Sequence, residues 1–202
     1  MIRRSGIRVW VCMLLAVCAL PVLCRAQTGY FIPGTLDDQL ERKTIDRKHG
    51  QVDHYYANEK PLADYVFGLV EMLYGGEGCR LEEKNGWDLY APKLQPVIDS
   101  LYIVGADVIE NKTQALAFVH GFFVRHGRWY DVGDTYCIDT PDVIRGRVFY
   151  KAAMMLGLPG LEIAALPGVA RTTRIIFRPT DELMTLIEST RPISNDKVGP
   201  LR

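Results

Sequence analysis

The sequence predicts an all-α fold: a single helical bundle of about five helices with one disulfide and an irregular C-terminal segment. Three observations lead to this prediction. Apolar residues recur at helical spacing in several segments. No Val- and Ile-rich strands alternate with those segments, which disfavours an α/β sheet. Two cysteines remain once a predicted leader is set aside, and the length of 202 residues fits one domain.

Residues 1–26 have the layout of a secretory signal peptide. A basic start precedes an apolar run over Val9–Leu23, and small residues then lead to a cleavage point after Ala26. The run is shorter than the ~20 residues that span a bilayer, so a retained membrane anchor is the weaker alternative. Neither Cys18 nor Cys24 follows a small residue, which disfavours a lipoprotein. The predicted location is therefore the periplasm.

The charge balance argues against a nucleic-acid partner. The chain has 24 basic and 24 acidic residues, and removal of the leader takes away arginines but no acids. No surplus of cations is then available to neutralise phosphates. We therefore predict no nucleic-acid partner.

Cys79 and Cys137 are the cysteines of the predicted mature chain. In an exported protein an even pair first indicates a disulfide. Such a bond would stabilise the fold by about 4 kcal/mol in the chain-entropy model. A zinc pair or a catalytic thiol are the alternatives, but the four histidines show no zinc-ligand spacing (His49, His54, His120 and His126).

Periodicity and capping residues predict the helices and the domain limits. The predicted helices are Pro61–Tyr74, Pro96–Ile109, a buried central helix from the Thr113 cap to Arg125, a helix from the Thr140 cap to Gly157, and Asp181–Ser189. Glycines 68, 105, 121 and 146 inside helices indicate close helix crossings. Residues 27–60 are predicted to be a polar arm, residues 61–192 the helical domain and residues 193–202 a flexible tail. Arg174–Arg178 has strand character.

The sequence shows no catalytic spacing, and we predict no catalytic residues, no metal site and no cofactor. Phosphate loops, dinucleotide fingerprints and nucleophile elbows do not occur. His120 and His126 are six residues apart and point to different sides of a helix. We expect His120 in the core with a hydrogen bond and His126 in a loop. A thiol–imidazole pair of Cys137 with one of them is the alternative.

A polar, glycine-broken stretch after the central helix is the predicted binding segment. It carries residue types that dominate protein interfaces: Arg128, Trp129, Tyr130, Asp131, Asp134 and Tyr136. A loop held at Cys137 would be ordered in advance, which lowers the entropy cost of binding. The alternative is that Trp129 and Tyr130 cap the core.

Residues 113–156 resemble the central part of the resistance-associated (Rap/Tai-type) immunity proteins of type VI secretion. The resemblance is carried by Ala117-Phe-Val-His-Gly121 and Cys137-Ile-Asp-Thr-Pro-Asp142, with Cys79 as the upstream cysteine. It implies a small exported helical protein without catalytic residues, which occupies the active-site cleft of a toxin.

The predicted function is therefore an exported, non-enzymatic protein-binding domain, in its sharpest form an immunity protein or inhibitor of a cell-wall-directed toxin. Two alternatives remain open from the sequence. One is a periplasmic hydrolase that acts on cell-wall material with carboxylates or a thiol. The other is a structural subunit of an envelope secretion or conjugation machine.

Overall fold

The computed structural model describes residues 28–37, 50–130, 134–165 and 172–194. The predicted signal peptide, Asp131 and residues 195–202 of the predicted tail lie outside these residues. The described helices and strands are α1 (28–35), β1 (Gln51–Tyr55), α2 (Lys60–Tyr74), β2 (Arg80–Glu83), β3 (Trp87–Tyr90), α3 (Gln95–Val104), α4 (Lys112–His126), β4 (Gly127–Tyr130), β5 (Thr135–Thr140), α5 (Val143–Leu156), β6 (Glu162–Ala165), β7 (Thr173–Phe177) and α6 (Asp181–Ser189).

The fold is α/β, and the prediction of an all-α bundle is wrong. A first antiparallel sheet has the strand order β1-β3-β2, and a second has the order β4-β5-β7-β6. The strands are only four to six residues long. Strands this short give little periodicity, and an antiparallel strand with one polar face has no long apolar run. The strand character of Arg174–Arg178 is confirmed by β7, whereas the sequence predicted none of the other strands.

The helices match the sequence predictions more closely than the strands do. α2 and α6 match the predicted bounds to within one residue. α3 stops earlier than expected, at Val104, because Gly105 turns the chain with φ +66°. The caps of α4 and α5 are Asn111 and Asp142, whose side chains accept hydrogen bonds from the first-turn amides. No described helix is long and apolar enough to cross a membrane.

Helices α1 and α4 cross so closely that their backbones touch. A Cβ at Gly121 would overlap the carbonyl oxygen of Phe31, and a Cβ at Gly34 would lie 2.8 Å from the amide nitrogen of Phe122. The expected close crossing therefore holds at Gly121. A Cβ at Gly68 would have no described atom of another element within 4 Å, so that glycine serves no crossing.

Each sheet packs its inner face against helices. The first core joins β1, β3 and α2 with Phe31 and Ile32 of α1, although the sequence predicted a polar arm there. The second core joins α4, α5 and α6 with the inner residues of β5 and β7. The crossing of α1 and α4 thus lies between the two cores. The face of each sheet that points away from its core is called its outer face.

The predicted disulfide between Cys79 and Cys137 does not form, and both thiols are free. Cys79 lies directly before β2 and packs against the first core, where burial and then Glu71 raise its pKa. Cys137 lies in β5 of the second sheet and is fully buried. The disulfide prediction is wrong because Cys137 lies in the second sheet, whereas Cys79 lies directly before a strand of the first.

Gly121→Ala is expected to destabilise the protein by about 1–3 kcal/mol or more, because the added methyl group overlaps backbone that cannot swing away. Gly68→Ala is the matched control. That change adds the same methyl group to a helix at a point where no described neighbour would touch it, so it should stabilise by about 1 kcal/mol or less. Urea denaturation of both variants measures the difference, and equal stabilities would contradict the tight crossing.

Candidate functional site

A cavity of about 250 Å³ opens where α4 ends and the two sheets meet. Its lining comes from both halves of the chain: Asp37, Tyr56, Asn58, Glu59, Arg125, His126, Arg128 and Asp139. Tyr56 follows β1 of the first sheet and lies edge-on to the ring of His54. Arg128 and Asp139 belong to β4 and β5 of the second sheet. The cavity therefore adjoins both sheets.

The guanidinium group of Arg125 is the buried centre of this region. Its Nη1 donates to Asp53 Oδ2 at 2.5 Å and to the Thr35 carbonyl at 3.0 Å. Its Nε and Nη2 donate to the two carboxylate oxygens of Glu59, each at 3.2 Å, and Nη2 also donates to the His54 carbonyl at 2.8 Å. One side chain of α4 thus binds α1, β1 and the turn after β1.

Charges in this cluster shift the proton affinity of its members. Burial raises the pKa of Asp53 to about 6, although the nearby Arg125 lowers it in part. Burial by itself would lower the pKa of Arg125, but Asp53, Asp37 and Glu59 raise it further, so the net shift is upward. Arg125 is therefore a buried cation at neutral pH, with the carboxylates of Asp53, Asp37 and Glu59 around it.

His126 is the last residue of α4 and lines the cavity. The expectation that it lies in a loop is wrong, because the chain passes from α4 to β4 without one. Gly127 permits this turn, since a Cβ there would overlap the ring of Phe123. Burial lowers the pKa of His126 to about 3, so the imidazole is neutral. Its Nε2 is buried and finds no hydrogen-bond partner among the described residues.

His120 lies where the sequence placed it. Its Nε2 is hydrogen-bonded to the hydroxyl of Thr190 at 2.9 Å, and both residues are buried. Burial lowers the pKa of His120 to about 4.

The outer face of the second sheet carries an ordered cluster of charged and aromatic groups. Arg174 Nε donates to Asp139 Oδ1 at 2.7 Å, and Arg174 Nη2 donates to Asp139 Oδ2 at 2.9 Å. Arg128 forms an ion pair with the same carboxylate, and its Nε lies 3.3 Å from Cys137 Sγ. The Arg174 guanidinium also lies 5.5 Å from the ring centre of Tyr130.

The outer face of the first sheet has a related arrangement. The Arg80 guanidinium lies 3.6 Å from the ring centre of Tyr90, and Arg80 Nε donates to Glu82 at 2.5 Å. Beside them His54 Nδ1 and Asp88 Oδ1 are 2.6 Å apart. Each sheet therefore presents an arginine on a tyrosine ring, with carboxylates as neighbours.

The residues of the predicted binding segment are divided between the two faces of the second sheet. Arg128 and Tyr130 lie on its outer face. Trp129 packs against the core, and Tyr136 is part of it. Asp134 forms a turn with φ +54°. The sequence did not single out Asp53, Glu59, Arg125, Asp139 or Arg174 as site residues. The strand character of Arg174–Arg178 is the signal closest to the site, but the run Arg-Ile-Ile-Phe does not alternate and so does not show which face Arg174 takes.

Arg125→Met is expected to lower the free energy of unfolding by about 3–5 kcal/mol, because it leaves the buried carboxylates of Asp53 and Glu59 without their cation. Lys151→Met is the control, since it removes a lysine whose ion pair with Asp107 is exposed, and it should leave the stability nearly unchanged. Denaturant titrations of both variants test this. A small loss for Arg125→Met would mean that the cluster does not tie the two halves together.

Acid is expected to destabilise the protein through its buried histidines. The pKa of His120 is about 4 in the folded chain and about 6.5 in the unfolded chain. The unfolded chain therefore binds more protons, and stability falls as the pH drops from about 6.5 towards 4, by up to about 1.4 kcal/mol per pH unit for this group. Asp53 acts in the opposite direction, because its folded pKa of about 6 lies above its usual value.

The measurement that isolates the histidine is the change in stability between about pH 7 and pH 5 for the wild type and for His120→Gln, which keeps a polar group near Thr190. The variant should lose less stability than the wild type over this interval. Equal losses would show that His120 already binds its proton in the folded protein.

No family model matches the chain, and no curated protein does. Solved structures do share its fold. Mesophilic variants of the homing endonuclease I-DmoI match with a TM-score of 0.56 and 11% identity, over 82% of this chain and 96% of that chain. The crystal structure of I-DmoI in complex with DNA and Mn matches with a TM-score of 0.55 and 10% identity, over 85% of this chain and 98% of that one. Identities this low establish the fold alone.

Among the described residues, no group of three or more His, Cys, Asp or Glu is placed to hold a metal ion such as the Mn of that complex. The carboxylates at the cavity already have guanidinium neighbours: Glu59 has Arg125, Asp139 has Arg174, and Asp37 has Arg145 at 3.9 Å.

The shared fold corrects the functional expectations taken from the sequence. A non-enzymatic immunity protein without a nucleic-acid partner was expected. The solved structures that share this fold are instead nucleases, and one of them is bound to DNA. The export signal and the resemblance to type VI immunity proteins stay predictions from the sequence.

Proposed function

We propose that this chain binds double-stranded DNA with the outer faces of its two sheets. The observation that carries the proposal is the matching arrangement on those faces, Arg80 against Tyr90 on the first sheet and Arg174 against Tyr130 on the second. The fold it shares with a DNA-bound homing endonuclease supports the same conclusion.

The chemistry of these faces suits a DNA duplex. Antiparallel strands can lie in the major groove, as other sheet-based DNA readers do. Arginine binds phosphate oxygens and guanine edges with the same two-pronged geometry. Because the inner faces of both sheets are covered by helices, the outer faces are the surfaces on which a duplex could reach these arginines.

The cavity near this surface is lined by three carboxylates, those of Asp37, Glu59 and Asp139, and by the guanidinium groups of Arg125 and Arg128. Of these two arginines only Arg128 is open enough to meet a phosphate, because the Arg125 side chain is buried against Asp53 and Glu59. The neutral imidazole of His126 provides a further hydrogen-bonding group in the same cavity.

The overall charge of the chain does not oppose DNA binding. Net charge counts every ionised residue, whereas a duplex meets only the groups on one surface. On the second sheet two arginines share the carboxylate of Asp139, and Glu162 is a further acid on the same face. Attraction of a duplex therefore depends on the individual guanidinium groups and not on a surplus of positive charge.

Arg128→Gln and Arg174→Gln are each expected to weaken binding to a short random-sequence duplex. Each change removes a guanidinium group that can bind phosphate, so the dependence of log affinity on log salt should become shallower by about 1. Fluorescence anisotropy over a range of KCl concentrations measures both quantities. Arg147→Gln is the matched control, because Arg147 is exposed on α5, away from the sheet faces.

The result that supports the proposal is a selective loss in the two sheet-face variants. If the wild type does not bind the duplex, the proposed function is wrong. If Arg147→Gln weakens binding as much as the other two changes, DNA binding is not located on this face.

A further inference from the structure

Asp139 lies between the two arginines of the second sheet's outer face. Its two oxygens accept from Nε and Nη2 of Arg174 at 2.7 and 2.9 Å, and it also pairs with Arg128. The carboxylate lines the cavity at the same time. One acid thus occupies both cations that the proposed DNA-binding face of this sheet offers.

Asp139 binds Arg174 with the same two-pronged geometry that a nucleic acid would use to bind this arginine. Two parallel N–H donors of a guanidinium fork bind a carboxylate, a phosphate or the O6 and N7 atoms of guanine in the same way. A duplex that binds Arg174 through its fork must therefore displace Asp139. Sequence-independent binding offers phosphate oxygens as the only replacement, and these must compete with a carboxylate already in place.

The exposure of the cluster makes this exchange possible. The side chains of Arg174 and Asp139 are 21% and 20% exposed, and that of Arg128 is 38% exposed. Ion pairs that are open to water contribute little net stability, so they can exchange partners without unfolding the sheet. The fully buried cluster around Arg125, whose side chain is 1% exposed, lacks this freedom.

The negative charge of Asp139 opposes duplex binding, as its hydrogen bonds to Arg174 do. With Asp139 ionised, the three groups together carry one positive charge, and without it they would carry two. A negative charge on this surface repels the phosphates of any duplex that approaches, whatever its sequence. The free guanidinium groups would instead bind phosphate and release counterions.

We propose that Asp139 weakens DNA binding by competing with phosphate for Arg128 and Arg174. The proposal rests on the DNA-binding function proposed above. It assigns to this carboxylate a lowering of the affinity for a duplex that must pair with the same two arginines.

The test is Asp139→Asn, which keeps the size of the side chain and removes its charge. Affinity for a random-sequence duplex is expected to rise on the order of tenfold at low salt, and the salt dependence should steepen by about 1. Asp107→Asn is the matched control. It also removes one carboxylate charge from an ion pair, that of Lys151 on α5, but leaves the sheet face unchanged. Anisotropy titrations over a range of KCl concentrations measure all three proteins.

A double variant, Asp139→Asn with Arg174→Gln, separates the competition from a general effect of charge. The gain from Asp139→Asn should shrink when its partner arginine is absent. Thermal melts establish that each variant is folded. If Asp139→Asn does not fold, the affinity of Arg174→Gln is compared with that of the double variant instead. Only a small gain in affinity is expected in that comparison.

The outcomes distinguish the two proposals. If the wild type binds the duplex through Arg128 and Arg174 but Asp139→Asn gains no more than Asp107→Asn, the role of Asp139 is overturned while the proposed function stands. An undiminished gain in the double variant would overturn it as well. If the wild type does not bind the duplex, the proposed function falls, and the role of Asp139 falls with it.

Discussion

The contact between helices α1 and α4 is the constraint on which the rest of the structure depends. Gly34 and Gly121 allow the two backbones to touch, and any side chain at Gly121 would meet the carbonyl group of Phe31. α1 contributes Phe31 and Ile32 to the first core, and most of the buried residues of α4 belong to the second. The distance between the helices therefore determines how the two sheets meet, and with it the cavity between them.

Arg125 links the contact between α1 and α4 to the cavity of the candidate site. It stands one turn beyond Gly121 on α4, and its guanidinium group reaches Asp53, Glu59 and two backbone carbonyls of the other half. A buried cation is tolerated because these oxygens replace its lost hydration. The same cluster holds the end of α4 in place, so that His126 and Arg128 face the cavity. Stability and the geometry of the candidate site thus rest on one side chain.

The placement of individual arginines, rather than a surplus of positive charge, supports the proposed DNA-binding face. The chain carries equal numbers of basic and acidic residues, yet its sheets place arginines on tyrosine rings at their outer faces. Acids stand beside these arginines, as Glu82 does for Arg80 and Asp139 for Arg174. Such pairs keep a mildly charged surface soluble and leave its cations available only to a partner that competes for them.

The sequence by itself determined the local elements of this protein, and tertiary structure decided the rest. α2 and α6 follow from apolar periodicity and end residues, which act over one or two turns. The strands are too short to give a comparable signal, and their pairing joins distant segments. The partners of Arg125 lie 66 to 90 residues away in the chain. Cys79 and Cys137 are likewise separated, because one precedes a strand of the first sheet and the other lies in the second. Sequence spacing carries no information on such distances, because they are set only when the two halves pack across the α1–α4 crossing.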